Sequence, residues 1–237
     1  MSWRTHPWTI ALRRLGRTAG LNRAIAALLK RGEGYEGRFR DAMLALVREA
    51  DCVWDVGANA GYYSKLFAER VGWRGRVFAF EPDTRVLARL EQSVRLLGNV
   101  TLVPVALADR DGTMRFRQGL DAMGATGQLI DADRTSAGAW IEVTVLRGDT
   151  VVARGMAALP DVVKIDVEGF EAEVLRGLGA LLDRPSLRAV CVEVHFGLLD
   201  TRGQRNAPAE IERRLYSAGF RCRWADHSHL VAVRVAP

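Results

Sequence analysis

The fold is decided by the stretch Asp51-Cys52-Val53-Trp54-Asp55-Val56-Gly57-Ala58-Asn59-Ala60-Gly61. Its first half is a short, mostly apolar run that is typical of a buried strand, and its second half is typical of a tight turn. Glycine allows the backbone to turn sharply and lets a ligand approach where a Cβ would otherwise stand. A helical pattern follows, and the start of a helix offers free N–H groups to a polar ligand. The stretch therefore predicts a strand–turn–helix unit with a binding site at the turn.

Working outward, strands and helices alternate along most of the chain. This alternation predicts an α/β fold with a doubly wound, mostly parallel sheet that ends in a C-terminal antiparallel hairpin. Residues 109–150 interrupt this alternation. Two short strands at 113–117 and 140–146 are predicted there to pair as a hairpin, with a loop at 119–138 between them. The other predicted strands are 76–80, 100–105, 162–167, 187–194, 220–224 and 230–235, and the other predicted helices are 84–97, 169–182 and 209–218.

Composition restricts the class of protein. The chain has 237 residues, 49% of them hydrophobic and 26% charged, which suits one sizeable globular domain. The net charge of +6 comes almost entirely from arginines spread along the chain, so nucleic-acid binding is not expected. The three cysteines are far apart and odd in number, which predicts reduced thiols in a cytoplasmic protein.

The first 32 residues contain no Asp or Glu. Leu21, Ile25 and Leu28 recur there at helical spacing, among arginines. We expect residues 1–50 to form an N-terminal helical segment that acts as a lid, a homodimer interface or a cap, or that contacts a membrane surface peripherally. A transit peptide is a further interpretation of the basic stretch. No apolar run approaches the ~20 residues of a membrane span. Residues 51–237 are expected to form the ligand-binding domain.

The turn departs from the dinucleotide pattern. An NAD enzyme would be expected to show G-x-G-x-x-G, whereas this turn is G-x-N-x-G with Asn59 in place of the second glycine. It therefore suits a ligand without a pyrophosphate. Asp55 before the turn can accept hydrogen bonds from an ammonium group, and Glu81 at the end of the second strand can accept both hydroxyls of a ribose. An NAD-dependent oxidoreductase stays an alternative, because an acidic residue at that strand end is common to both classes.

Several further stretches accompany the glycine turn and Glu81. They are Tyr35, Glu36 and Phe39, residues 53–64 and 78–82, Val103-Pro104-Val105-Ala106-Leu107-Ala108-Asp109 and Asp161-Val162-Val163-Lys164-Ile165-Asp166-Val167-Glu168-Gly169. Together they resemble the motifs of the FkbM-type, class I S-adenosylmethionine-dependent methyltransferases, over roughly residues 35–235. The Lys-Ile-Asp-Val-Glu-Gly run is the most distinctive of these motifs, whereas the glycine turn is common to many methyltransferases. One departure is Gly148-Asp149, where the family usually has Leu-Asp, and it concerns the packing of that segment and not the cofactor site.

The resemblance implies a seven-stranded, Rossmann-like methyltransferase fold, S-adenosylmethionine as cofactor and O-methylation of a small molecule, sugar or glycolipid. It places Glu81 at the ribose, and Ala106 and Leu107 near the adenine. Asp166 is placed at the site of methyl transfer. The methionine moiety would be surrounded by Asp55, Gly57, Asn59 and Gly61.

Charged residues near the ends of two predicted central strands indicate where the chemistry occurs. A covered parallel strand should be apolar on both faces, so charges on it are costly unless they are paired. Lys164 is expected to form a buried ion pair with an acidic neighbour. Asp166, on the same face, can hold the cofactor, the acceptor hydroxyl or a cation. Because the ligand lies at these strand ends, such charges favour a catalytic role.

His195 is the first candidate for the general base, since an unperturbed pKa of about 6.5 suits that task. Glu193, two residues earlier, is a candidate to orient it. Asp166, Glu193 and His195 are also a candidate set for a divalent metal ion, as an alternative to the acid–base roles. A nucleic-acid methyltransferase and a non-catalytic binding module are the remaining alternatives. The acceptor itself is expected to be a small molecule or a glycan.

Overall fold

The computed structural model describes residues 34–119, 127–130 and 140–235, with backbone alone for 34–36. The elements of this part, in chain order, are α1 (Gly34–Leu44), β1 (Cys52–Val56), α2 (Tyr62–Val71), β2 (Arg76–Phe80), α3 (Thr84–Val94), β3 (Val100–Val103), β4 (Ala106–Leu107), β5 (Gly112–Arg117), β6 (Gln128–Ile130), β7 (Trp140–Leu146), α4 (Gly148–Ala153), β8 (Val162–Ile165), α5 (Glu171–Leu178), a 3-10 helix (Gly179–Asp183), β9 (Ala189–Glu193), α6 (Phe196–Thr201), α7 (Ala207–Ser217), β10 (Phe220–Trp224) and β11 (His229–Arg234).

Seven strands form the main sheet in the order β10-β11-β9-β8-β1-β2-β3. β9, β8, β1, β2 and β3 run parallel to one another, whereas β11 is antiparallel to both β9 and β10. The predicted doubly wound, mostly parallel seven-stranded sheet with a C-terminal antiparallel hairpin is therefore confirmed. β1 lies near the middle of the sheet, which places the glycine turn at the point where the chain order reverses.

The core lies on both faces of β1, since successive side chains of a strand point to opposite sides. Trp54 packs against Phe80 on one face, and its indole Nε1–H donates to the Ala158 carbonyl at 2.9 Å. Val53 packs with Phe67 and Val77 on the other. Burying a side chain of this size stabilises the fold by about 1.5–3 kcal/mol, so the two layers hold the strand firmly below the turn.

A second, four-stranded sheet has the order β4-β7-β5-β6. The predicted hairpin of the 113–146 region is confirmed, because β5 and β7 pair antiparallel from Gly112 with Val145 to Arg117 with Trp140. β4 and β6 were not predicted, since runs of two and three residues show no periodicity. Residues 128–130 of the predicted loop form β6, and 120–126 and 131–139 lie outside the described residues.

Two predicted boundaries shift at the fourth parallel strand. β8 ends at Ile165 and not at Val167, because the chain turns there and Glu168 has a φ of 50°. α5 ends at Leu178, where Gly179 with a φ of 53° leads into the 3-10 helix. α4 and α6 were not predicted, because six residues are too few for a helical period to show.

Gly148, which departs from the family pattern, is buried where α4 meets α5. A Cβ on this residue would stand 2.9 Å from Leu178 Cδ2 and 3.4 Å from the Trp54 ring. Any larger side chain would push the two helices apart. The glycine therefore permits a close contact, and the packing of this segment is accounted for.

The described part of the predicted N-terminal segment belongs to the core. Phe39, Met43 and Val47 are buried in one cluster with Phe67, and the Phe39 ring stacks on His229 at 4.1 Å. Residues 1–33, with the predicted basic helices, lie outside the described part, so the domain boundary at 50 stays a prediction. Within the described ranges, no helix combines the length and apolarity that a membrane crossing requires.

Two helical glycines give a matched test of this packing. A Cβ at Gly177 would stand 1.8 Å from the Ala108 carbonyl oxygen, whereas at Gly37 the nearest atom is 3.9 Å away. We expect Gly177→Ala to lower the free energy of unfolding by about 1–3 kcal/mol through overpacking. Gly37→Ala should raise it by about 0.5–1 kcal/mol, because alanine favours the helix. Urea unfolding measures both, and equal stability of the two variants would contradict this account of α5.

Candidate active site

An open cleft lies beyond the C-terminal ends of β1, β2 and β8, where a doubly wound sheet binds its ligands. Its volume is about 640 Å³, including the open space at its mouth. The second sheet forms one wall. The lining residues are Val56, Gly57, Asn59, Phe80, Glu81, Pro82, Val105, Ala106, Leu107, Phe116, Gly127, Leu129, Asp166, Val167 and Glu168.

The glycine turn forms the floor of the cleft. Gly57 has a φ of 78°, and a Cβ there would stand 1.8 Å from the backbone oxygen of Asp166. The N–H groups of Gly57 and Ala58 both donate to the Phe80 carbonyl, which ties the turn to β2. Asn59 has a φ of 48°, and its buried Oδ1 has no hydrogen-bond partner among the described residues. The turn thus combines a position that only glycine fits with a side-chain acceptor that is free for a ligand.

Glu81 lines the cleft at the end of β2, as predicted for a ribose-binding carboxylate. Its oxygens accept from the N–H of Asn59 at 3.1 Å and from the N–H of Asp83 at 2.9 Å. Burial raises the pKa of Glu81 to about 7, against the lowering effect of these two hydrogen bonds. Because the pKa of Glu81 in the folded protein lies above its ordinary value of 4.5, this group stabilises the ligand-free protein below pH 4.5, and that contribution is lost as the pH rises through 7.

The opposite side of the cleft is apolar. Ala106 and Leu107, the residues expected near an adenine, line it from β4, and Phe116 and Leu129 line it from β5 and β6. A flat, weakly polar ring system suits such a wall, since ligand pockets combine apolar surfaces with a few polar groups. The second sheet therefore contributes all four of these residues, through strands of which only β5 was predicted from the sequence.

Two residues predicted to contact the cofactor have other partners. Asp55 is fully buried behind the turn, where it accepts from the Ser64 hydroxyl at 2.7 Å and pairs with the Lys164 ammonium at 3.1 Å. The ammonium group that Asp55 binds is therefore that of Lys164. Gly61 lies against α3, and a Cβ on it would stand 2.6 Å from Leu90 and from Ser93. Neither residue lines the cleft, so Asp55 and Gly61 shape the turn from behind.

Lys164 confirms the predicted buried ion pair and has further partners. Its Nζ lies 3.1 Å from Asp55 Oδ1 and 3.4 Å from Asp166 Oδ2, and it donates to the Gly57 carbonyl at 3.0 Å. Burial lowers the pKa of Lys164, but the charges of Asp55 and Asp166 outweigh this and raise it. One protonated ammonium therefore joins the glycine turn to the acidic end of β8.

The acidic cluster consists of Asp166, Glu168 and Glu193 around the Nε2 atom of His195. Carboxylate oxygens of Glu168, Asp166 and Glu193 lie 3.4, 3.8 and 3.8 Å from this nitrogen. Burial raises the pKa of Asp166, and it raises the pKa of Glu168 to about 7. The structure thus brings the three predicted catalytic residues, Asp166, Glu193 and His195, to one place and adds Glu168.

The residue that orients His195 is Glu171. The imidazole Nδ1–H donates to Glu171 Oε1 at 2.7 Å, and the Gly169 N–H donates to the same oxygen at 2.9 Å. Burial lowers the pKa of His195, but the hydrogen bond to Glu171 and the charges of Glu171, Glu168 and Asp166 raise it to about 10. The unperturbed pKa that favoured His195 as general base is therefore not what the structure shows. Without another cation in the cluster, this ring is protonated at neutral pH.

Glu193, predicted to orient His195, faces a second histidine. Its Oε2 lies 3.3 Å from the Nε2 of His229, whose Nδ1 lies 2.8 Å from Asp226. Burial lowers the pKa of His229, but the hydrogen bonds to Asp226 and Glu193 raise it to about 9. The protonated His229 thus fixes Glu193 at the edge of the cluster, 3.8 Å from His195.

Glu171 and His229 were missed by the sequence analysis. A signal for Glu171 exists, because an acidic residue stands on the buried face of α5 together with Val174, Leu175 and Leu178. For His229 the residue pattern carries no such signal, since its role depends on the pairing of β11 with β9.

The chain matches a known domain family. Residues 55–222, which include the glycine turn, the acidic cluster and α5, match the Methyltransferase FkbM domain. This range excludes α1, the described part of the N-terminal segment.

Two curated proteins and one solved structure illustrate the match. The chain is 33% identical to the hexuronic acid methyltransferase AglP of Haloferax volcanii, over 67% of this chain and 63% of that protein. It is 32% identical to the 31-O-demethyl-FK506 methyltransferase FkbM of Streptomyces tacrolimicus, over 63% of this chain and 67% of that protein. A structure from Clostridium thermocellum, provisionally described as an rRNA methylase, shares the fold at a TM-score of 0.51 and 13% identity, over 84% of this chain and 93% of the other. The chain thus spans just under two thirds of the length of AglP.

Removing the Lys164 ammonium should destabilise the fold, because this group holds the glycine turn in place. We expect Lys164→Met to lower the free energy of unfolding by about 3–5 kcal/mol, because it leaves Asp55 as a buried charge without a cation. Asp55→Asn added to it should restore part of the loss. Lys65→Met is the matched control, since Lys65 is exposed on α2 and should change stability by less than about 0.5 kcal/mol. Urea unfolding that gives Lys164→Met the stability of Lys65→Met would refute the role of this ion pair.

Proposed function

Because this chain belongs to the FkbM methyltransferase family, we propose that it transfers a methyl group from S-adenosylmethionine to a hydroxyl oxygen of a sugar or small molecule. The observation that carries the proposal is that the glycine turn, Glu81 and the acidic cluster meet in one cleft. The names of the two relatives describe methyl transfer to a hexuronic acid and to an oxygen of FK506. The family membership favours this activity over the NAD-dependent alternative.

The residues of the cleft fit the cofactor. The Oδ1 of Asn59 is a buried acceptor without a partner among the described residues, and suits the ammonium of the methionine moiety. Gly57 lets the backbone of Asp166 approach the turn, because any Cβ at this position would collide with the Asp166 carbonyl oxygen. The Glu81 carboxylate would accept the ribose hydroxyls, and Ala106 and Leu107 would contact the adenine. The predicted contacts of Gly57, Asn59, Glu81, Ala106 and Leu107 are kept in this proposal, whereas Asp55 and Gly61 act from behind the turn.

When bound, the cofactor supplies a methyl group on a cationic sulfur, and the S–CH₃ electron pair stays on that sulfur. The protein's part is to position the hydroxyl oxygen in line and to remove its proton. Asp166 and Glu168 line the cleft and are proposed to orient the hydroxyl toward the turn. A carboxylate of the acidic cluster takes the proton. Val105 and Leu129, on the opposite wall, help to exclude water.

Methyl transfer can be tested directly. The protein is incubated with S-adenosylmethionine carrying a deuterated methyl group and with a panel of uronic acid glycosides, neutral sugars and hydroxylated lactones. We expect the mass of one deuterated methyl group to appear on an oxygen of at least one acceptor. The control is Gly57→Ala, whose Cβ collides with the backbone of Asp166, beside Gly98→Ala, which has open space around it. Turnover retained in Gly57→Ala, or a methyl group found on nitrogen, would contradict the proposal.

Glu81 allows a test of cofactor binding that does not depend on the acceptor. We expect Glu81→Gln to weaken the binding of S-adenosylhomocysteine by roughly 10–100-fold, because a charged acceptor of the ribose hydroxyls is lost. Since the pKa of Glu81 is about 7, affinity of the unchanged protein should fall as the pH drops from 8 to 6, and the variant should show a flatter profile. Calorimetry measures both. Glu91→Gln, an exposed change on α3, should bind normally. Equal affinities of the two variants would remove Glu81 from the site.

The predicted homodimer, the peripheral membrane contact and the cytoplasmic location stay predictions. They rest on residues 1–33, which lie outside the described part, or on the cysteine pattern. The acceptor is proposed to be a small molecule or a glycan, with no nucleic acid expected.

A further inference from the structure

The ligand atoms of Asp166, Glu168 and His195 converge on one point at the rim of the cleft. One carboxylate oxygen from each acid and a ring nitrogen all lie within 4.8 Å of one another, and the closest approach to Nε2 is the 3.4 Å of Glu168. Around a cation with bonds of about 2.0–2.2 Å, neighbouring ligand atoms lie roughly 3–3.5 Å apart. The three side chains are therefore at a spacing that small rotations about their side-chain bonds bring to coordination distance.

The ring of His195 is held as a metal-binding histidine is held. Its Nδ1–H donates to Glu171, a carboxylate that is fully buried and that the Gly169 N–H fixes in turn. This arrangement leaves Nε2 directed at Asp166 and Glu168. A carboxylate behind a histidine sets the tautomer and the ring orientation and increases the basicity of the ligating nitrogen. Because Glu171 is on a different element, this is an observation independent of the acidic cluster.

The negative charges of the site favour the binding of a cation at this point. Four carboxylates lie within 4 Å of the His195 ring, those of Asp166, Glu168, Glu171 and Glu193. Asp166 also forms an ion pair with Lys164, and Glu193 forms one with His229. Within the described ranges, however, no Lys, Arg or second His lies within 4 Å of Glu168. A proton on Nε2 supplies one positive charge, whereas a divalent cation would supply two and replace that proton. Burial of several carboxylates in one place is costly unless such a charge is present.

The site is open toward the acceptor. The side chains of Asp166 and Glu168 are 27% and 25% exposed, and both line the cleft, whereas His195 is 17% exposed. The backbone oxygen of Asp166 lies directly over Gly57 of the cofactor turn. A cation here would thus keep coordination positions free for a substrate oxygen, next to the place where the methyl group is proposed to lie.

From this geometry we propose that Asp166, Glu168 and His195 bind one divalent first-row transition-metal cation that coordinates the acceptor hydroxyl. Two carboxylate oxygens and one imidazole nitrogen suit such ions better than they suit calcium, which prefers oxygen alone. The inference rests on the proposed methyl transfer and deepens it, because it assigns the activation of the hydroxyl.

Coordination would lower the pKa of the hydroxyl, so that a weak base can take its proton. Glu193, outside the ligand set and 32% exposed, is placed to accept that proton and to pass it to solvent. The hydroxyl oxygen then forms the new O–CH₃ bond as the S–CH₃ bond breaks, and its second lone pair stays on the cation. In this arrangement His195 is a ligand, and the general base predicted from the sequence is replaced.

The test uses Mn²⁺ and the full chain. Mn²⁺ is titrated into the protein with and without S-adenosylhomocysteine, and binding is followed by electron paramagnetic resonance. We expect one Mn²⁺ per chain, with a nitrogen coupling from one histidine. Binding without a nitrogen coupling would overturn the site. If S-adenosylhomocysteine binds and Mn²⁺ does not, the metal inference fails and the proposed function stands, whereas failure of S-adenosylhomocysteine to bind removes the proposed function itself.

Variants separate this ligand set from its neighbours. We expect His195→Ala and Glu168→Gln each to weaken Mn²⁺ binding by at least about 10-fold, because losing even a residue that only orients a ligand costs roughly 10–100-fold. Both should bind S-adenosylhomocysteine normally, which also shows that they are folded, while turnover falls. Glu193→Gln and the exposed Glu91→Gln should keep the Mn²⁺ affinity. Loss of Mn²⁺ in Glu193→Gln but not in Glu168→Gln would overturn the assignment, as would unchanged affinity in His195→Ala.

Discussion

The site depends on one buried ammonium group. Lys164 stands on β8 opposite Asp55 of β1, and its Nζ reaches a carboxylate behind the glycine turn, the carbonyl of Gly57 within it and Asp166 at the cleft. A charge buried at this depth is tolerated only when it is paired, so the ammonium fixes the positions of its three partners. The turn that would receive the cofactor and the acids that would receive the acceptor therefore have a fixed relation to each other.

Around this centre, the carboxylates of the site are divided among separate cations. The ion pairs are Asp55 with Lys164, Glu193 with His229 and Glu171 with His195. Each pair joins two segments that are distant in the chain. The pairs make the sheet ends rigid, which is what an in-line displacement requires of an enzyme whose main task is positioning. Glu168 stands outside this division, and its partial exposure places the remaining negative charge at the rim of the cleft, where a ligand can meet it.

How far the sequence predicts this arrangement depends on the range of the interactions. The strand–turn–helix unit, the succession of strands and helices along the chain and the pairing of Lys164 follow from local patterns and from the cost of charges on a central strand. The contact between Glu171 and His195 joins residues that are 24 positions apart. It depends on how the start of α5 is placed beside the segment that follows β9, which no spacing rule contains. Of the second sheet only the β5–β7 hairpin was predicted, because β4 and β6 are too short to show a period and depend on their pairing partners.

The acidity of the cleft also bears on the acceptor. A hexuronic acid, on which AglP is named to act, carries a carboxylate of its own. Brought beside Asp166, Glu168 and Glu193 without a counter-charge, such a sugar would be repelled, since like charges in a partly buried site oppose each other strongly. A divalent cation held by these carboxylates would reverse this preference, because it would attract the sugar's carboxylate. A cluster that holds only a proton would therefore favour a neutral acceptor, whereas a cluster that holds a metal ion would also admit an acidic one.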